Sequence, residues 1–520
     1  MTLKYYLGKH KVLVFVAVVL TLLSIIGQTI GTMFWTPMID ALARRSTSTF
    51  WWWFTIDTVF SLVRFGVGQI DDYLQTVATQ RINVDMQRDL SNGVANQSLP
   101  EFQKGSVGQY TSWLTNDIQQ IDTKGLATFF NIVMYGGGIV FPLVSLIWYH
   151  WSLGVAAIVC GLIMTIAPRV LQHKVEQGSE RVTRANEHFV NVAENTLNGF
   201  ETFLSFRHPQ EIVRRIVAAA GELKDTNLSY KRRELAVEVL TYTGSIFAQM
   251  FLIGLTGWLV LRGTLTAGAL MTTGQQAGIV FTSMAQLASL LVVRKAVNPV
   301  FAKYAHLNFK KTPDDEPFTR APVGFELANV ASGDAEHTWL APISAKVAAG
   351  SKVHLTGPSG KGKTTLLHLI AGLTKPTSGV IKWPEAPAAL YLPQKPFILS
   401  ASVRENLTLG RDYSDEQLWR VLDQVGLTPR IRALNSGLST KLSADGVDLS
   451  GGERERLALA RALLVNPGVL LFDEGTASVD AQTAETIERQ ILTNSQQTVV
   501  FVSHAQRSDL EPLFDQTIEL

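Results

Sequence analysis

The stretch Gly357-Pro-Ser-Gly-Lys-Gly-Lys363-Thr364 decides the fold of the C-terminal part of this 520-residue chain. The apolar run Val353-His-Leu355 precedes it and Leu366-Leu367 follow it, which predicts a strand, a glycine-rich loop and a helix in that order. Glycines let backbone N–H groups turn toward phosphate oxygens, and the start of the helix adds positive partial charge. The Lys363 ammonium would neutralise the β and γ phosphates of ATP, and the Thr364 hydroxyl would be a ligand of Mg²⁺. We therefore predict that the nucleotide is held by Gly357, Pro358, Ser359, Gly360, Lys361, Gly362, Lys363, Thr364 and Thr365.

A second stretch, Val469-Leu-Leu-Phe-Asp473-Glu474, reads as a buried strand that ends in two carboxylates. Asp473 at the carboxyl end of the strand can hold Mg²⁺ through water, and Glu474 can polarise the attacking water as a general base. Such a strand is common and carries little information alone. Because it follows a phosphate-binding loop by roughly a hundred residues, it indicates a site for ATP hydrolysis.

The composition excludes several classes of protein. Apolar residues make up 46% of the chain and charged residues only 17%, whereas soluble domains average about 25% charged residues. The 46 basic and 44 acidic side chains give a net charge of +2, which is too balanced for a general nucleic-acid binder, so we expect no nucleic-acid partner. The apolar content is too high for a disordered chain. The single cysteine, Cys160, excludes an intramolecular disulfide framework and a cysteine-rich metal site.

The apolar residues and the charges divide the chain into two unlike parts. Residues 321–520 carry 18 basic and 22 acidic side chains, which leaves 28 and 22 of the chain's totals for the first 320 residues. In that first part, six segments are apolar over the roughly 20 residues that a helix needs to cross a bilayer. They are residues 12–34, 51–70, 126–148, 151–171, 237–261 and 267–293. We predict a transmembrane domain over residues 1–308, a linker over 309–322 and a nucleotide-binding domain over 323–520.

The charges around the spans predict their orientation. Lys4, Lys9 and Lys11 precede the first span, which favours a cytoplasmic N-terminus; a signal peptide is the alternative for this lysine-rich start. Six spans return the chain to the cytoplasmic side, where the ATP-binding part must lie. The connections 71–125 and 172–236 are polar and poor in glycine and proline, so we expect the spanning helices to continue into the cytosol. We therefore predict a multi-pass integral membrane protein in contact with the lipid bilayer. As a separate expectation, we place it in the bacterial plasma membrane with the ATP-binding part in the cytoplasm.

A few polar residues interrupt the predicted spans, namely Gln28, Asp57, Arg64, Gln69, Gln275 and Gln276. Asp57 and Arg64 are seven positions apart, so they share a helix face and could pair with each other or across helices. Two interpretations stay open: these residues line a cavity, or Asp57 lies near the headgroups beside the aromatic run Trp51-Trp52-Trp53. Gly136-Gly137-Gly138 indicate close packing of helices more than contact with a substrate.

Several short motifs around the phosphate loop resemble those of the ATP-binding cassette (ABC) proteins. Leu449-Ser-Gly-Gly-Glu453 is similar to the family's signature sequence, and Gln394 in Tyr391-Leu-Pro-Gln394 is similar to its Q-loop. Ser478-Val-Asp480 resembles the D-loop, and His504, after the apolar run 499–502, resembles the switch histidine. The resemblance implies catalytic roles for Glu474, His504 and Gln394, nucleotide contacts for Ser450, Gly451, Gly452 and Asp480, and Mg²⁺ ligation by Thr364, Gln394 and Asp473.

Over nearly its whole length the chain resembles ABC exporters of the half-transporter type, which fuse one six-helix membrane domain to one nucleotide-binding domain. The stretches 88–122 and 194–207 are similar to the family's two cytoplasmic loops, which implies short coupling helices near 99–104 and 199–205. The resemblance implies an α-helical transmembrane domain of six spans with extended cytoplasmic helices, plus an α/β P-loop NTPase domain of ABC type.

The resemblance also implies a partner chain. In this family each ATP lies between the P-loop of one subunit and the signature of another, so a second half-transporter subunit is expected, in a homodimer or in a heterodimer with a related chain. Family members usually stack adenine on an aromatic residue ahead of the P-loop, but the matching place here reads Ala331-Ser-Gly-Asp334. Trp339 is the candidate replacement.

The function implied by the resemblance is ATP-driven export or flipping of an unidentified amphipathic substrate by alternating access in a dimer. Lipids or lipopeptides, drugs, peptides and small metabolites all remain open as substrates. Two other functions stay as alternatives: a membrane-anchored P-loop ATPase with a regulatory role and no translocation, and an ABC importer.

Overall fold

Long helices dominate the N-terminal part of the chain, where the apolar segments lie. The structure, a computed structural model, describes residues 2–166, 169–312, 318–333, 337–384, 389–442, 449–473, 481–494, 496–502 and 510–520. The chain groups into two units: Met1–Asn96 with Val107–Lys311, called here the membrane unit, and Gln97–Ser106 with Thr312–Leu520, called the cassette unit.

The helices of the first 311 residues follow one another with short connections. In chain order they are α1 (Leu3–Lys9), α2 (Lys11–Ala43), α3 (Thr47–Ala95), α4 (Leu99–Lys104), α5 (Val107–Ser112), α6 (Ile118–Ile121), α7 (Ala127–Tyr149), α8 (Trp151–Ile166), α9 (Arg169–Asn198), α10 (Phe200–Ser205), α11 (Pro209–Leu261), α12 (Ala267–Val293) and α13 (Asn298–Lys303). Two π-helical turns, Trp113–Asp117 and Asp122–Leu126, join α5, α6 and α7 into one rod, and a 3₁₀ turn, Arg294–Val297, joins α12 to α13.

Helices cover the predicted spans wherever the structure describes them. Within the described residues, three helical stretches are long and apolar enough to cross a membrane, by length and composition: Lys11–Ala43, Val107–Tyr149 and Pro209–Leu261. Trp151–Met164 is a shorter apolar helix. The predicted spans 51–70 and 267–293 lie in α3 and α12. The α3 stretch contains Asp57, Arg64 and three tryptophans, which lower its mean hydropathy.

Small residues bring the spanning helices close together. A Cβ atom added to Gly137 of α7 would lie 2.8 Å from Ile25 Cδ1 of α2, and one added to Gly138 would lie 2.5 Å from Ser283 Oγ of α12. Gly136, by contrast, has nothing within 4 Å of the added atom. Close packing at Gly137 and Gly138 is therefore the arrangement that the three-glycine run indicates.

Short helices occur at both places where coupling helices are expected. α4 begins at a capping box in which the Ser98 backbone N–H donates to Glu101 Oε2 at 2.9 Å, and Pro100 fits its first turn. α4 belongs to the cassette unit, whereas α10 belongs to the membrane unit. α10 buries none of its residues, and Phe200 and Leu204 on it are about half exposed.

The described part of the cassette unit is built on a parallel sheet and an antiparallel sheet. The strands are β1 (Phe325–Gly333), β2 (Thr338–Val347), β3 (Lys352–Thr356), β4 (Ser378–Lys382), β5 (Ala389–Leu392), β6 (Val469–Asp473), β7 (Thr498–Val502) and β8 (Gln516–Glu519). The parallel sheet has the order β5-β6-β7-β3-β8, and the antiparallel sheet the order β2-β1-β4. The helices are α14 (Lys363–Ile370), α15 (Val403–Thr408), α16 (Asp415–Gln424), α17 (Thr428–Arg432), α18 (Gly451–Val465) and α19 (Ala481–Thr493).

Two hydrophobic cores cover opposite faces of the parallel sheet. Every residue of β6 and β7 is buried, and their side chains alternate between the cores. Leu471 and Val500 pack in the core shared with α14 and the antiparallel sheet, whereas Leu470 and Phe472 pack in the core shared with α15, α16 and α18. Burial on both faces fixes the carboxyl ends of these strands, where the predicted chemistry lies.

A buried polar hub ties α18 to the segment that follows Gln394. Arg461 Nη1 donates to the Phe397 carbonyl oxygen at 2.7 Å, and Nη2 donates to Asn406 Oδ1 at 2.6 Å. Asn406 is fully buried and also accepts from the Leu399 backbone N–H at 2.8 Å. Desolvation lowers the pKa of Arg461 to about 10, so the guanidinium stays charged at neutral pH. Within the described residues, the hub therefore holds the Arg461 charge on neutral acceptors.

We expect Arg461→Met to lower the free energy of unfolding of the cassette unit by about 2–4 kcal/mol, because Asn406 and the Phe397 carbonyl lose a charged donor inside the core. Thermal unfolding of the purified protein, followed by tryptophan fluorescence, measures this. Arg420→Met, at an exposed arginine of α16, is the control and should change the unfolding temperature little. Equal stability of the two variants would contradict the structural role of the hub.

Candidate functional site

The predicted phosphate loop lies between β3 and α14, as the pattern of strand, loop and helix requires. β3 pairs with β7 and β8, and α14 begins at Lys363 after Gly362. Gly357, Gly360 and Gly362 adopt positive φ angles of 144°, 83° and 93°. L-amino acids with side chains rarely adopt these angles, so the loop depends on glycine at these positions.

The loop leaves room for a phosphate chain. A Cβ atom added to Gly357 would lie 2.8 Å from the Leu520 carbonyl oxygen, and one added to Gly362 would overlap the Trp339 carbonyl, so both backbones are tightly packed on one side. At Gly360 nothing lies within 4 Å of the added atom, so the backbone there faces open space. The residues therefore fit a bound nucleotide: the loop is anchored on one side and open on the other.

The Lys363 ammonium lies across the loop. Its Nζ donates to the carbonyl oxygen of Gly357 at 2.6 Å and to that of Pro358 at 3.2 Å. Carbonyl oxygens are weaker partners for an ammonium group than phosphate oxygens, so these contacts keep the charge at the loop without neutralising it.

Asp473 lies at the end of β6, and its carboxylate accepts two hydroxyl donors. Thr364 Oγ1 donates to Asp473 Oδ2 at 2.9 Å, and Tyr391 OH donates to the same oxygen at 3.0 Å. Asp473 is only 6% exposed. The structure therefore brings together two residues that the sequence analysis assigned to one metal site, 109 positions apart in the chain.

The sequence analysis quoted Tyr391 in the Q-loop motif but gave it no role. Burial and the negative charge of Asp473 raise the pKa of Tyr391, so its hydroxyl remains protonated and keeps donating. His368 of α14 packs edge-on against the Tyr391 ring with 4.7 Å between ring centroids. Burial lowers the pKa of His368, with Asp473 opposing the shift, so a neutral imidazole supports the tyrosine. A polar ring at the end of a strand beside Gln394 was the only sequence signal of this role.

The signature residues form the start of α18. Ser450 is the N-cap: its backbone N–H donates to Glu453 Oε2 at 2.7 Å, and the Glu453 backbone N–H donates to Ser450 Oγ at 3.3 Å. Gly451 and Gly452 are the first residues of the helix. Arg430 Nε also lies 3.2 Å from Glu453 Oε1, so the glutamate closes the capping box and holds an ion pair at once.

The remaining predicted residues are only partly placed. Gln394 is exposed and follows β5 by two positions. Glu474, Asp480 and His504 lie outside the described residues; Glu474 directly follows Asp473, and His504 comes two positions after the end of β7. Of the stretch 331–334, where an aromatic residue is expected, Asp334 also lies outside them, and 331–333 end β1. Trp339 on β2 is 51% exposed, and its carbonyl adjoins Gly362.

Among the polar residues of the membrane unit, Asp57 and Arg64 find separate neighbours. Trp35 Nε1 of α2 donates to Asp57 Oδ2 at 3.3 Å, and Gly27 of α2 faces the aliphatic carbons of Arg64. In the described part of the chain these two charged residues form no ion pair with each other.

Asp71, which the sequence analysis assigned to a cytosolic connection, lies deeper than expected. Thr21 Oγ1 lies 3.0 Å from both carboxylate oxygens of Asp71, and Gln75 Nε2 donates to the same hydroxyl at 3.1 Å. Thr21 belongs to the first predicted span, so this buried carboxylate lies level with that span. The pairing of α2 with α3, which no local pattern reveals, sets this depth.

We expect Tyr391→Phe to lower the rate of ATP hydrolysis about threefold to tenfold, because Asp473 loses one of its two hydroxyl donors. The pKa shift predicts no change of this effect between pH 6 and pH 9, since the hydroxyl stays protonated throughout. Steady-state hydrolysis by the purified protein measures both. Tyr413→Phe is the control, at a partly buried tyrosine that packs against the core containing Leu470 and Phe472. Equal rates for the two variants would show that the Tyr391 hydroxyl is dispensable.

Comparisons with known proteins agree with the two-unit architecture. The family model of the ABC transporter transmembrane region matches residues 14–284, and that of the ABC transporter matches residues 340–477. An ATP-dependent lipid A-core flippase of Pectobacterium atrosepticum is 23% identical over 499 residues, which cover 91% of this chain and 84% of that protein. The transport/processing ATP-binding protein ComA of Streptococcus pneumoniae is 24% identical over 86% of this chain and 65% of its own length.

A solved structure described as a bacterial Atm1-family ABC exporter with ATP bound has the same fold. It matches with a TM-score of 0.80 at 20% identity and covers 98% of this chain and 93% of that chain. The transmembrane family model alone covers more than half of the present chain. This chain therefore belongs to the ABC transporter family: it is an exporter-type half-transporter whose ATPase domain couples ATP hydrolysis to transport across a membrane.

Proposed function

We propose that two copies of this chain form a homodimer that exports or flips an amphipathic substrate by alternating access. The observation that carries this proposal is the hydrogen bond from Thr364 to Asp473. It joins the helix after the glycine-rich loop to the end of β6, so both parts of an ATP site meet. The same polypeptide contains the apolar helices. Residues 1–308 would be the membrane domain, 309–322 the linker and 323–520 the nucleotide-binding domain. The bacterial relatives support the plasma membrane as its location, with the cassette unit in the cytoplasm.

The nucleotide-binding residues would act in two sets from different copies. In one copy the glycine-rich loop wraps the phosphates, and Lys363 exchanges its carbonyl partners for phosphate oxygens. In the other copy, Ser450, Gly451 and Gly452 present the N-terminus of α18, where the helix dipole attracts anions. Because each set alone covers one side of the nucleotide, ATP binding would draw the two cassette units together.

The Thr364 hydroxyl, Asp473 and Gln394 would hold Mg²⁺, since hydroxyl, carboxylate and amide oxygens suit this hard cation. When bound, Mg²⁺ neutralises charge on the phosphate oxygens. The Tyr391 hydroxyl, which donates to Asp473, would keep this carboxylate oriented while no Mg²⁺ is bound. Glu474 would accept a proton from the attacking water, and His504 and Asp480 would contact the phosphates and the opposite copy.

The short helices α4 and α10 would pass closure of the cassettes to the membrane domain. Supporting this, α4 groups with the cassette unit, and α10 exposes the apolar side chains of Phe200 and Leu204. For the substrate class, one relative is described as a lipid A-core flippase. Lipids are therefore the first class to test.

Trp339 would supply the surface on which the adenine ring stacks. Its side chain is half exposed, and its backbone adjoins Gly362 at the end of the phosphate loop. Aromatic rings stack on bases with sufficient affinity to orient them, and Trp339 is an exposed aromatic residue whose backbone adjoins the phosphate loop. The stretch 331–334, where the stacking residue is expected, carries no aromatic residue.

We expect Trp339→Ala to weaken ATP binding about tenfold, whereas Trp339→Phe should stay within threefold of the unchanged protein. Calorimetric titration with ATP measures the affinities. Titration with inorganic triphosphate is the control, because the loop alone holds it and neither variant should change its affinity. Unaltered ATP affinity of Trp339→Ala would show that the base is held elsewhere.

We expect Glu474→Gln to reduce ATP turnover at least a hundredfold while ATP remains bound, because the general base is lost. Proteoliposomes that contain a fluorescent phospholipid or lipopeptide measure ATP hydrolysis and movement of the probe together. The unchanged protein should hydrolyse ATP faster with a transported probe and move it, and Glu474→Gln should do neither. Glu485→Gln, on the exposed face of α19, is the matched control. Normal turnover by Glu474→Gln would contradict the assignment of the base.

A further inference from the structure

A groove lies between α11 and α12 near the connection 262–266, which joins the two helices on the outer side of the predicted topology. Its volume is 510 Å³, within the range of about 300–1,000 Å³ that ligand pockets have. None of its lining side chains is charged. They are Gly254, Gly257, Trp258, Val260 and Leu261 of α11, and Ala267 and Leu270 of α12. We call this feature the outer groove.

Two glycines of α11 leave the outer groove open. A Cβ atom added to Gly254 would have nothing within 4 Å, and one added to Gly257 would lie 3.6 Å from Leu270 Cδ1. The larger side chains beside them are exposed, Trp258 to 47% and Leu261 to 90%. Apolar surface of this kind is stable against hydrocarbon and costs free energy against water. The groove therefore suits an apolar chain.

A cation lies at the end of the same helix. Arg262 is the C-cap of α11, and its guanidinium carbon lies 3.8 Å from the centroid of the Trp258 ring. The helix ends there because Gly263 has a φ of 74° and the Thr264 backbone N–H donates to the Leu259 carbonyl oxygen at 3.0 Å. A cation on an indole face is held by the ring quadrupole, so the positive charge stays beside a side chain that lines the groove.

The charge of Arg262 is not balanced by the protein around it. Within the part of the chain that the structure describes, its guanidinium forms neither a salt bridge nor a side-chain hydrogen bond. The sequence contains no Asp or Glu between Glu238 and Asp314, so the outer halves of α11 and α12 contribute no carboxylate of their own. The N–H donors of Arg262 are thus available to an anion, and guanidinium binds phosphate oxygens especially well.

The order of these groups along α11 matches the order of the parts of a phospholipid. Gly254, Trp258 and Arg262 recur every four residues, so they lie along one helix face over roughly 12 Å. Arg262 is outermost and Gly254 is deepest in the span. Trp258 lies between them, at the level where indole rings adjoin lipid headgroups. A lipid of the outer leaflet presents its phosphate and then its acyl chains in the same direction.

We propose that the outer groove binds one anionic phospholipid of the outer leaflet, with its phosphate on Arg262 and an acyl chain along Gly257 and Gly254. An anionic headgroup is favoured because it balances the charge of Arg262, whereas a zwitterionic headgroup brings a cation of its own. The site lies on the outside of two packed helices, and it does not depend on which substrate is transported.

Photolabelling of the full-length protein in phosphatidylcholine nanodiscs tests this site. The nanodiscs contain a trace of phosphatidylglycerol with a diazirine on one acyl chain, and mass spectrometry identifies the labelled peptides. We expect the segment 254–270 to be labelled at least fivefold more than by phosphatidylcholine with the same diazirine. Arg262→Gln should remove this preference by lowering the phosphatidylglycerol label at least fivefold. Equal labelling by the two lipids, or an unchanged label in Arg262→Gln, would overturn the site.

A second variant fills the groove without touching the charge. Gly254→Leu should also lower the label at least fivefold, and it fits because the added Cβ meets nothing within 4 Å. Gly136→Leu is the matched control, at a glycine of α7 with equally open surroundings. Arg44→Gln is the control for charge, at an exposed arginine in the other connection, 44–46. Both controls should keep the label within twofold, and an equal loss in them would overturn a specific site.

Two further measurements distinguish the lipid from other occupants. Excess inorganic phosphate should leave the label unchanged; competition by it would show a site for free phosphate and overturn the lipid. Cys160 is the only cysteine of the chain, so Leu261→Cys in a Cys160→Ser background can carry a benzophenone maleimide beside the groove. Illumination should crosslink this probe to lipid. A crosslinked dimer would show that a second copy covers the groove and would overturn the proposal.

Discussion

The hydrogen bond from Thr364 to Asp473 is the contact on which the ATPase half of this protein depends. It joins the helix that begins at the glycine-rich loop to the end of a strand more than a hundred positions away. Both groups reach each other because β6 and β3 lie in one parallel sheet, separated only by β7, and parallel strands end at the same edge. Tyr391 at the end of β5 completes the set.

The sheet can fix these positions because both of its faces are buried. The side chains of β6 and β7 alternate between two cores, so a shift of either strand by one residue would move every side chain into the wrong core. The core that contains Leu470 and Phe472 also contains side chains of α18. The Arg461–Asn406 hub bonds α18 to α15 beside this core. Residues of the signature and the segment after Gln394 are thus tied to one buried framework.

The membrane unit obeys a different constraint, since polar groups in hydrocarbon need partners inside the protein. Threonine hydroxyls on α2 and α11 donate to carbonyl oxygens one turn back, as Thr29 does to Ile25 and Thr256 to Leu252. Others, such as Thr21 and Thr272, bond across helices. Among the described residues, α2 makes side-chain hydrogen bonds to α3 at Thr21 and Trp35, and to α7 and α12 at Thr36. These bonds satisfy polar groups inside the bundle.

The sequence by itself determined the features that depend on neighbouring residues: the strand, glycine loop and helix around Lys363, the buried strand that ends at Asp473, and helices in the apolar segments. These follow from backbone conformation and hydrophobic periodicity within a few residues. Tertiary structure alone decided the roles of Tyr391, Arg461 and Asp71, whose partners lie 82, 55 and 50 positions away. A local pattern cannot predict such contacts, because they depend on how distant helices and strands pack and on which buried polar group then lacks a partner.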